Sequence, residues 1–357
     1  MVRKEKLKNW AINRFVKSFR NTPESVISDR LEADKRLDQL CTLAVIRAGL
    51  VGALSGMFIV IIAFSLNNWE GLEGMNGFAF NLIIGITGII ATSIELLFLY
   101  RDSLNTAARM AKVLDIPDEE LSKVEMEQSM PRWLIYAAMG APGHRGVLFG
   151  INPLEKIGKF GLTLRKILTK IRVVGSASLF KSILRRIWVR LIGRIATRAA
   201  VEILALPVFI ILNILGMRHT MNEMRSRLVG YELTPKIIEH AFPETLENVS
   251  SGIKKALNEG LSKQITAARY IHPNQIRILE LLGDGEIERT ATISVDDQRR
   301  TDRFLIAIST MSGKNNYRHR KLSRKIEDRL GSEEVLLVRS EVWDAIHDLK
   351  PFTRKWM

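Results

Sequence analysis

Two acidic residues sit in stretches where a charge is costly. Glu95 interrupts Phe78–Tyr100 (FAFNLIIGITGIIATSIELLFLY), and Glu202 lies near the start of Ala199–Met217 (AAVEILALPVFIILNILGM). A carboxylate inside hydrocarbon marks a functional position unless it reaches an interface or finds a partner. Glu95 falls near the end of its apolar run, within reach of an interface. Glu202 follows Arg198 by four residues, the spacing of an ion pair on one helix face. Structural roles are the expectation for both. If the two carboxylates met instead, one would hold its proton more tightly, and proton or cation conduction would follow as a hypothesis.

Other chemistry is sparse. His144, His219, His240, His272, His319 and His347 are scattered without metal-ligand spacing. There is no G-x-S-x-G elbow, Walker loop, HExxH or glycine-rich dinucleotide fingerprint. Gly283-Asp284-Gly285-Glu286 has too few spaced acids for a calcium loop and reads as a turn. The single cysteine, Cys41, excludes a disulfide framework. The expectation is a non-enzymatic protein with no catalytic residue, cofactor or metal.

The elements that carry the two acids decide the class. The chain has 357 residues, 53 Lys+Arg against 38 Asp+Glu, a net charge of +15 and 46% hydrophobic residues. Its apolar residues are concentrated. Ala48–Leu66 (AGLVGALSGMFIVIIAFSL) has no charge, and at about 1.5 Å per residue it matches the ~30 Å hydrocarbon core. Phe78–Tyr100 is longer, and the polar Gly/Asn-rich link between them holds two acids and no Lys or Arg. Residues 1–47 carry 11 Lys/Arg, and Arg101, Arg109 and Lys112 follow the second run. The positive-inside rule then places both ends of a transmembrane hairpin in the cytoplasm of a multi-pass inner-membrane protein. The alternative is a hairpin buried in a water-soluble helical protein.

Ala48, Gly52 and Gly56 recur every four residues, a small-residue face that lets helices approach closely. Gly85, Gly88 and Thr92 on the second run are the expected receivers. The third block contains Pro207 and has basic flanks on both sides. It is expected to be a kinked, re-entrant or hairpin-packed helix with cytoplasmic ends, a third span being the alternative.

Residues 155–198 hold twelve Lys/Arg against Glu155 alone. Arg186, Arg190, Arg194 and Arg198 form an i, i+4 row beside Ile183, Ile187, Leu191 and Ile195, with Trp188 among them. A break falls at Gly175–Ser178. This is the pattern of a helix lying in the headgroup plane and binding anionic lipid, each cation contributing on the order of 1 kcal/mol. Residues 7–19 repeat it weakly, with Ile12, Phe15, Val16 and Phe19 on one side. Thr22-Pro23-Glu24 reads as a fresh helix start.

After Met217 the chain is nearly balanced, 24 basic against 20 acidic residues. Helix starts are expected at Thr234-Pro235, His272-Pro273 and Ser294, and short strands at 286–295 and Val335–Val338. Gly313 and Gly331 separate further pieces. Lys314, Arg318, Arg320, Lys321, Arg324 and Lys325 make a basic cluster, read as a solvated or lipid-facing helix face rather than a nucleic-acid patch. The expected organisation is mainly α: basic amphipathic helices at 1–47, a transmembrane hairpin at 48–100, a membrane-associated region at 101–217 and a cytoplasmic helical domain at 218–357.

Two stretches, GITGIIATSIELLFLYRDSLNTAARMAKVLDIPDEEL (residues 85–121) and RLIGRIATRAAVEILALPVFIILNILGMRHTMNEMRSRLVGYE (190–232), resemble the EcsC-like family of bacterial membrane-associated proteins. That resemblance implies a bacterial, membrane-associated helical protein and carries over no site residue. TDRFLIAISTMSGKNNYRHRKLSRKIEDRL distantly resembles TerB-like helical domains without their acidic character. The expected role is an anchor, scaffold or regulatory partner of an envelope or transport system. It would bind anionic lipids and an unidentified protein, with a second copy of the chain as a further candidate partner; the alternative is an oligomeric ion channel built from the hairpin.

Overall fold

The computed structural model describes residues 2–23, 26–67, 77–117, 119, 129–140, 147–154, 198–244, 246, 248–282, 292–312 and 317–350. Among them are ten helices and no strand: α1 (Val2–Arg20), α2 (Arg30–Asn67), α3 (Gly77–Val113), α4 (Met130–Ala138), α5 (Arg198–Ala241), α6 (Ser251–Ala268), α7 (Pro273–Leu282), α8 (Val295–Met311), α9 (Tyr317–Leu330) and α10 (Ser332–His347). The mainly-α class is therefore shown. The chain forms two compact units, one of Met1–Leu40, Leu104–Lys156 and Thr220–Met357, the other of Cys41–Ser103 and Ile157–His219. Helices α2, α3 and α5 each contribute one stretch to each unit.

In the second unit the described elements are the apolar stretches of α2, α3 and α5. The inward stripe of α2 is built from small residues, Ala44, Ala48, Gly52, Gly56 and Ala63, with Ile59 among them. That helical period brings neighbouring backbones close. Ile59 and Ala63 meet Ile84 and Ala91 of α3, with Ile62 and Leu66 packed alongside. At the other end Arg47 Nε lies 2.9 Å from the Asp102 carboxylate. These contacts make α2 and α3 antiparallel.

The small-residue face of α2 does not receive α3. It receives α5: Gly49 faces Ile214, Gly52 faces Asn213 and the Phe209 carbonyl, and Gly56 faces Leu206. Gly85 and Gly88, the expected receivers, have nothing within 4 Å of where a Cβ would stand. The reason is bulk. An α5 rich in Leu and Ile fits a glycine groove, whereas a second glycine face would leave a void. Helix α5 is 44 residues long and runs without interruption through Pro207 and on past Pro235. The expected start at Thr234-Pro235 is thus wrong; Thr234 Oγ1 donates to the Gly230 carbonyl at 2.6 Å inside a continuous helix. Nor does the chain turn back within 199–217, as a re-entrant segment would.

In the first unit, α8 packs against α6, α9 and α10. Its N-cap is Ser294, as expected, with Oγ accepting from Asp297 N at 3.1 Å. Phe242 and Phe304 meet edge-to-face at 5.3 Å in the core. Helix α7 begins at Pro273 and lies so close to α5 that a Cβ on Gly230 would collide with Asn274. Gly331 (φ 91) separates α9 from α10, a backbone conformation that favours glycine. Val335–Val338 is helical, not a strand. Val335, Val338, Val342 and Ala345 recur at helical spacing and fill one buried face of α10. Val295 begins α8, so the other expected strand is ended there, and its residues 286–291 lie outside the described residues.

The apolar side of α1 is spent on protein rather than lipid. Ala11, Phe15 and Phe19 are buried, Arg14 Nε donates to Asn105 Oδ1 at 3.2 Å, and Lys112 lies over the Phe19 ring. Helix α2 does not start at Thr22-Pro23. Asp29 caps it, its carboxylate accepting from Leu31 N at 3.1 Å.

Candidate functional site

Glu95 is brought to one place with Asn213 and Gly52, one residue from each of three apolar helices. Asn213 Nδ2 donates to Glu95 Oε1. The same amide lies against Gly52, where a Cβ would stand 2.6 Å from Nδ2. Glycine here is a requirement of space: it admits the amide that partners the acid. Glu95 is seven residues before Asp102, about 10 Å along the helix, within the cytoplasm-proximal third of its apolar run as that run is oriented by the positive-inside rule. An amide N–H can donate to a carboxylate or to the carbonyl oxygen of a carboxylic acid, and the contact offsets part of the cost of a polar group there. Sequence reasoning found Glu95 and missed Asn213, whose signal was a lone amide between apolar neighbours.

The outward faces of the same helices are strongly apolar. Leu50, Leu54, Phe58, Ile61 and Phe64 on α2 are exposed, as are Ile86, Ile89, Ile90, Ile94, Leu97 and Phe98 on α3 and Ile211, Leu212 and Leu215 on α5. Leu54 and Ile89 are 67% and 64% exposed. Two helices, Arg30–Leu66 and Leu82–Val113, are long and apolar enough to cross a membrane, with only 28% and 11% of their most apolar windows buried. The core helix of a water-soluble protein has the opposite distribution.

The expected lipid-binding residues Arg186, Trp188, Arg190 and Arg194 lie outside the described residues. Arg198 and Glu202 fall in the first turns of α5, but their side chains lie outside the description as well. Along α5, Glu202 is eleven residues before Asn213, about 16 Å. The amide that meets Glu95 is therefore far from the second acid.

Buried polar chemistry in the first unit centres on two arginines of α5. Arg225, its side chain 4% exposed, bonds the carboxylates of Asp34 and Asp38 on α2 and the carbonyls of Ile346 and His347 at the end of α10. Nη1 reaches Asp38 at 2.6 Å and Nε reaches the Ile346 carbonyl at 2.9 Å. Arg227 donates to Glu223 at 2.8 Å and to the Trp133 carbonyl of α4 at 2.6 Å. Burial, with the Glu223 charge nearby, pushes the Tyr270 hydroxyl well above its ordinary range. Burial, then the Arg225 charge, holds the His347 imidazole below its ordinary value. These networks join helix ends, and neither sets a nucleophile beside a base. In the basic cluster of α9, Lys321, Arg324 and Lys325 are exposed, while Ser323, Ile326 and Leu330 face inward, so these three cations lie on an outward helix face.

No family model, curated protein or solved structure matches the chain.

Proposed function

We propose that the chain is an integral protein of a bacterial cytoplasmic membrane, similar to EcsC-like proteins, in which apolar helices anchor a cytoplasmic helical domain. The domain acts without catalysis, as a scaffold or regulatory partner of an envelope or transport system. One observation carries this reading: the long apolar helices turn many bulky side chains outward, and α2 turns its small ones inward. Water penalises that arrangement at roughly 25 cal/mol per Å² of exposed apolar surface, and lipid does not. Basic residues at both ends of the hairpin support a cytoplasmic N-terminus and C-terminal domain. Reporters fused at residue 357 and inserted at residue 72 test this topology. A cytoplasmic signal at 357 with an external one at 72 is expected; the reverse pattern refutes the orientation.

A second reading, an oligomeric channel or pore, is favoured by one feature. Gly85 and Gly88 form an open small-residue face on α3, suited to the close approach of a second copy. Reconstituted chain would then pass ions, with a flux altered by Glu95→Gln. Tight vesicles at high protein density refute it.

A further inference from the structure

The start of α7 is interior: every residue from Tyr270 to Ile276 is buried. The orphan N–H groups of such a helix end must find acceptors within the protein. His272 is the N-cap, since its carbonyl accepts the first helical bond from Ile276 N at 3.1 Å and Pro273 follows at N1. Its side chain, 1% exposed, accepts at Nδ1 from Asn274 N at 3.3 Å. Its own N–H donates to Gln275 Oε1 at 3.0 Å. This is the reciprocal bonding of a capping box, with histidine in the place of serine or threonine. The same turn holds α7 on α5. Asn274 Nδ2 donates to the Ser226 carbonyl at 3.4 Å, and its amide fills the space that Gly230 leaves.

A histidine cap has a property that a serine cap lacks. Nδ1 accepts only while it carries no proton, so the capping form is the neutral imidazole with its proton on Nε2. A second proton, on Nδ1, deletes the acceptor and strands the buried Asn274 N–H. It also places a cation at the positive end of the α7 dipole. The charged neighbours do not reverse this. On α5, Glu223 lies 3.8 Å from Nε2 and attracts a cation, but Arg227 binds the same carboxylate at 2.8 Å and offsets it. Tyr270, its ring 6.4 Å from the imidazole, adds no charge, because burial tightens the hold of its hydroxyl on the proton.

We propose that His272 is an acid-sensitive latch: its protonation releases the first turn of α7 from α5 while α6 and α8 stay folded. The proton is excluded from the capped form and binds the released form with the ordinary affinity of histidine. The released-to-capped ratio therefore rises about tenfold for each pH unit below about 6.5.

Hydrogen–deuterium exchange of the full chain in neutral detergent micelles, corrected for intrinsic exchange rates and read by mass spectrometry at about pH 5 and about pH 7.5, tests the latch. Peptides covering 273–282 should lose about thirtyfold in protection at the lower pH. The starts of α6 and α8 are capped by the Ser250 and Ser294 hydroxyls, which do not titrate there, and should keep theirs. His272→Asn retains a capping oxygen without a titrating group and should leave α7 protected at both pH values. Should that variant not fold, the comparison of α7 with α6 and α8 in the wild type decides alone. Unchanged protection of α7, an equal loss in all three helices, or the same acid loss in folded His272→Asn overturns the proposal.

Discussion

Replacing Gly52 by alanine adds one methyl group where α2, α3 and α5 meet. The new Cβ would stand 2.6 Å from Asn213 Nδ2 and 3.2 Å from the Phe209 carbonyl. The amide must swing away from Glu95, forfeiting a bond worth about 0.6 kcal/mol on average and up to about 1.7 in membrane helices. The Phe209 oxygen belongs to backbone, so α5 must also shift by a few tenths of an ångström. Overpacking of this kind costs about 1–3 kcal/mol. The sum is about 2–3 kcal/mol, roughly a thirtyfold to 150-fold loss in the folded-to-unfolded ratio. Gly56→Ala should cost less, because its Cβ meets the flexible end of Leu206. Gly88→Ala meets open space and should be neutral or slightly stabilising. Unfolding in mixed micelles of rising sodium dodecyl sulfate content, followed by circular dichroism, would rank the three. If Gly88→Ala destabilised as much as Gly52→Ala, the packing of α5 on α2 would be refuted.

Three further outcomes are expected. Arg225→Met should destabilise the first unit by about 3–5 kcal/mol, since it strands buried acceptors and Asp34 without a counter-charge; Arg225→Lys should recover only part, as measured by denaturant titration. His347 carries a proton affinity depressed below the ordinary 6.5. The unfolded chain therefore binds more protons in the window below that value, and stability rises with pH through it. Wild type should gain stability between about pH 5 and pH 7 relative to His347→Gln, and matched pH profiles would contradict this. Changing Arg186, Arg190, Arg194 and Arg198 to glutamate should cut flotation with anionic vesicles at moderate salt, whereas undiminished flotation would remove the interfacial role.

Much of the helical framework was legible because it follows from local chemistry. The apolar runs, the Ser294 cap, Pro273 at the start of α7 and the Gly331 separator all act within a few residues. What the sequence concealed is set at long range. Thr22-Pro23 and Thr234-Pro235 carry the residue types of helix starts, yet α2 begins at Arg30 behind the Asp29 cap and packing carries α5 through Pro235. Val335–Val338 is too short a run to reveal its period, which emerges only with Val342 and Ala345. Gly85 and Gly88 have the spacing of a receiving face, but the bulk of α5 decides which groove is filled. Asn213 gives no sign of its role until Glu95 stands beside it, since an amide 118 positions away leaves no mark on a local pattern. Arg225 likewise looks like part of a basic flank and proves to be buried between α2 and α10.

The claim beneath all of this is that lipid surrounds the exposed faces of α2 and α3. Membranes from expressing cells, washed in alkaline carbonate and then treated with a non-denaturing detergent, test it most directly. The chain should stay in the pellet through the wash and leave it only with detergent. Release by carbonate alone as a dispersed, folded protein would contradict the account.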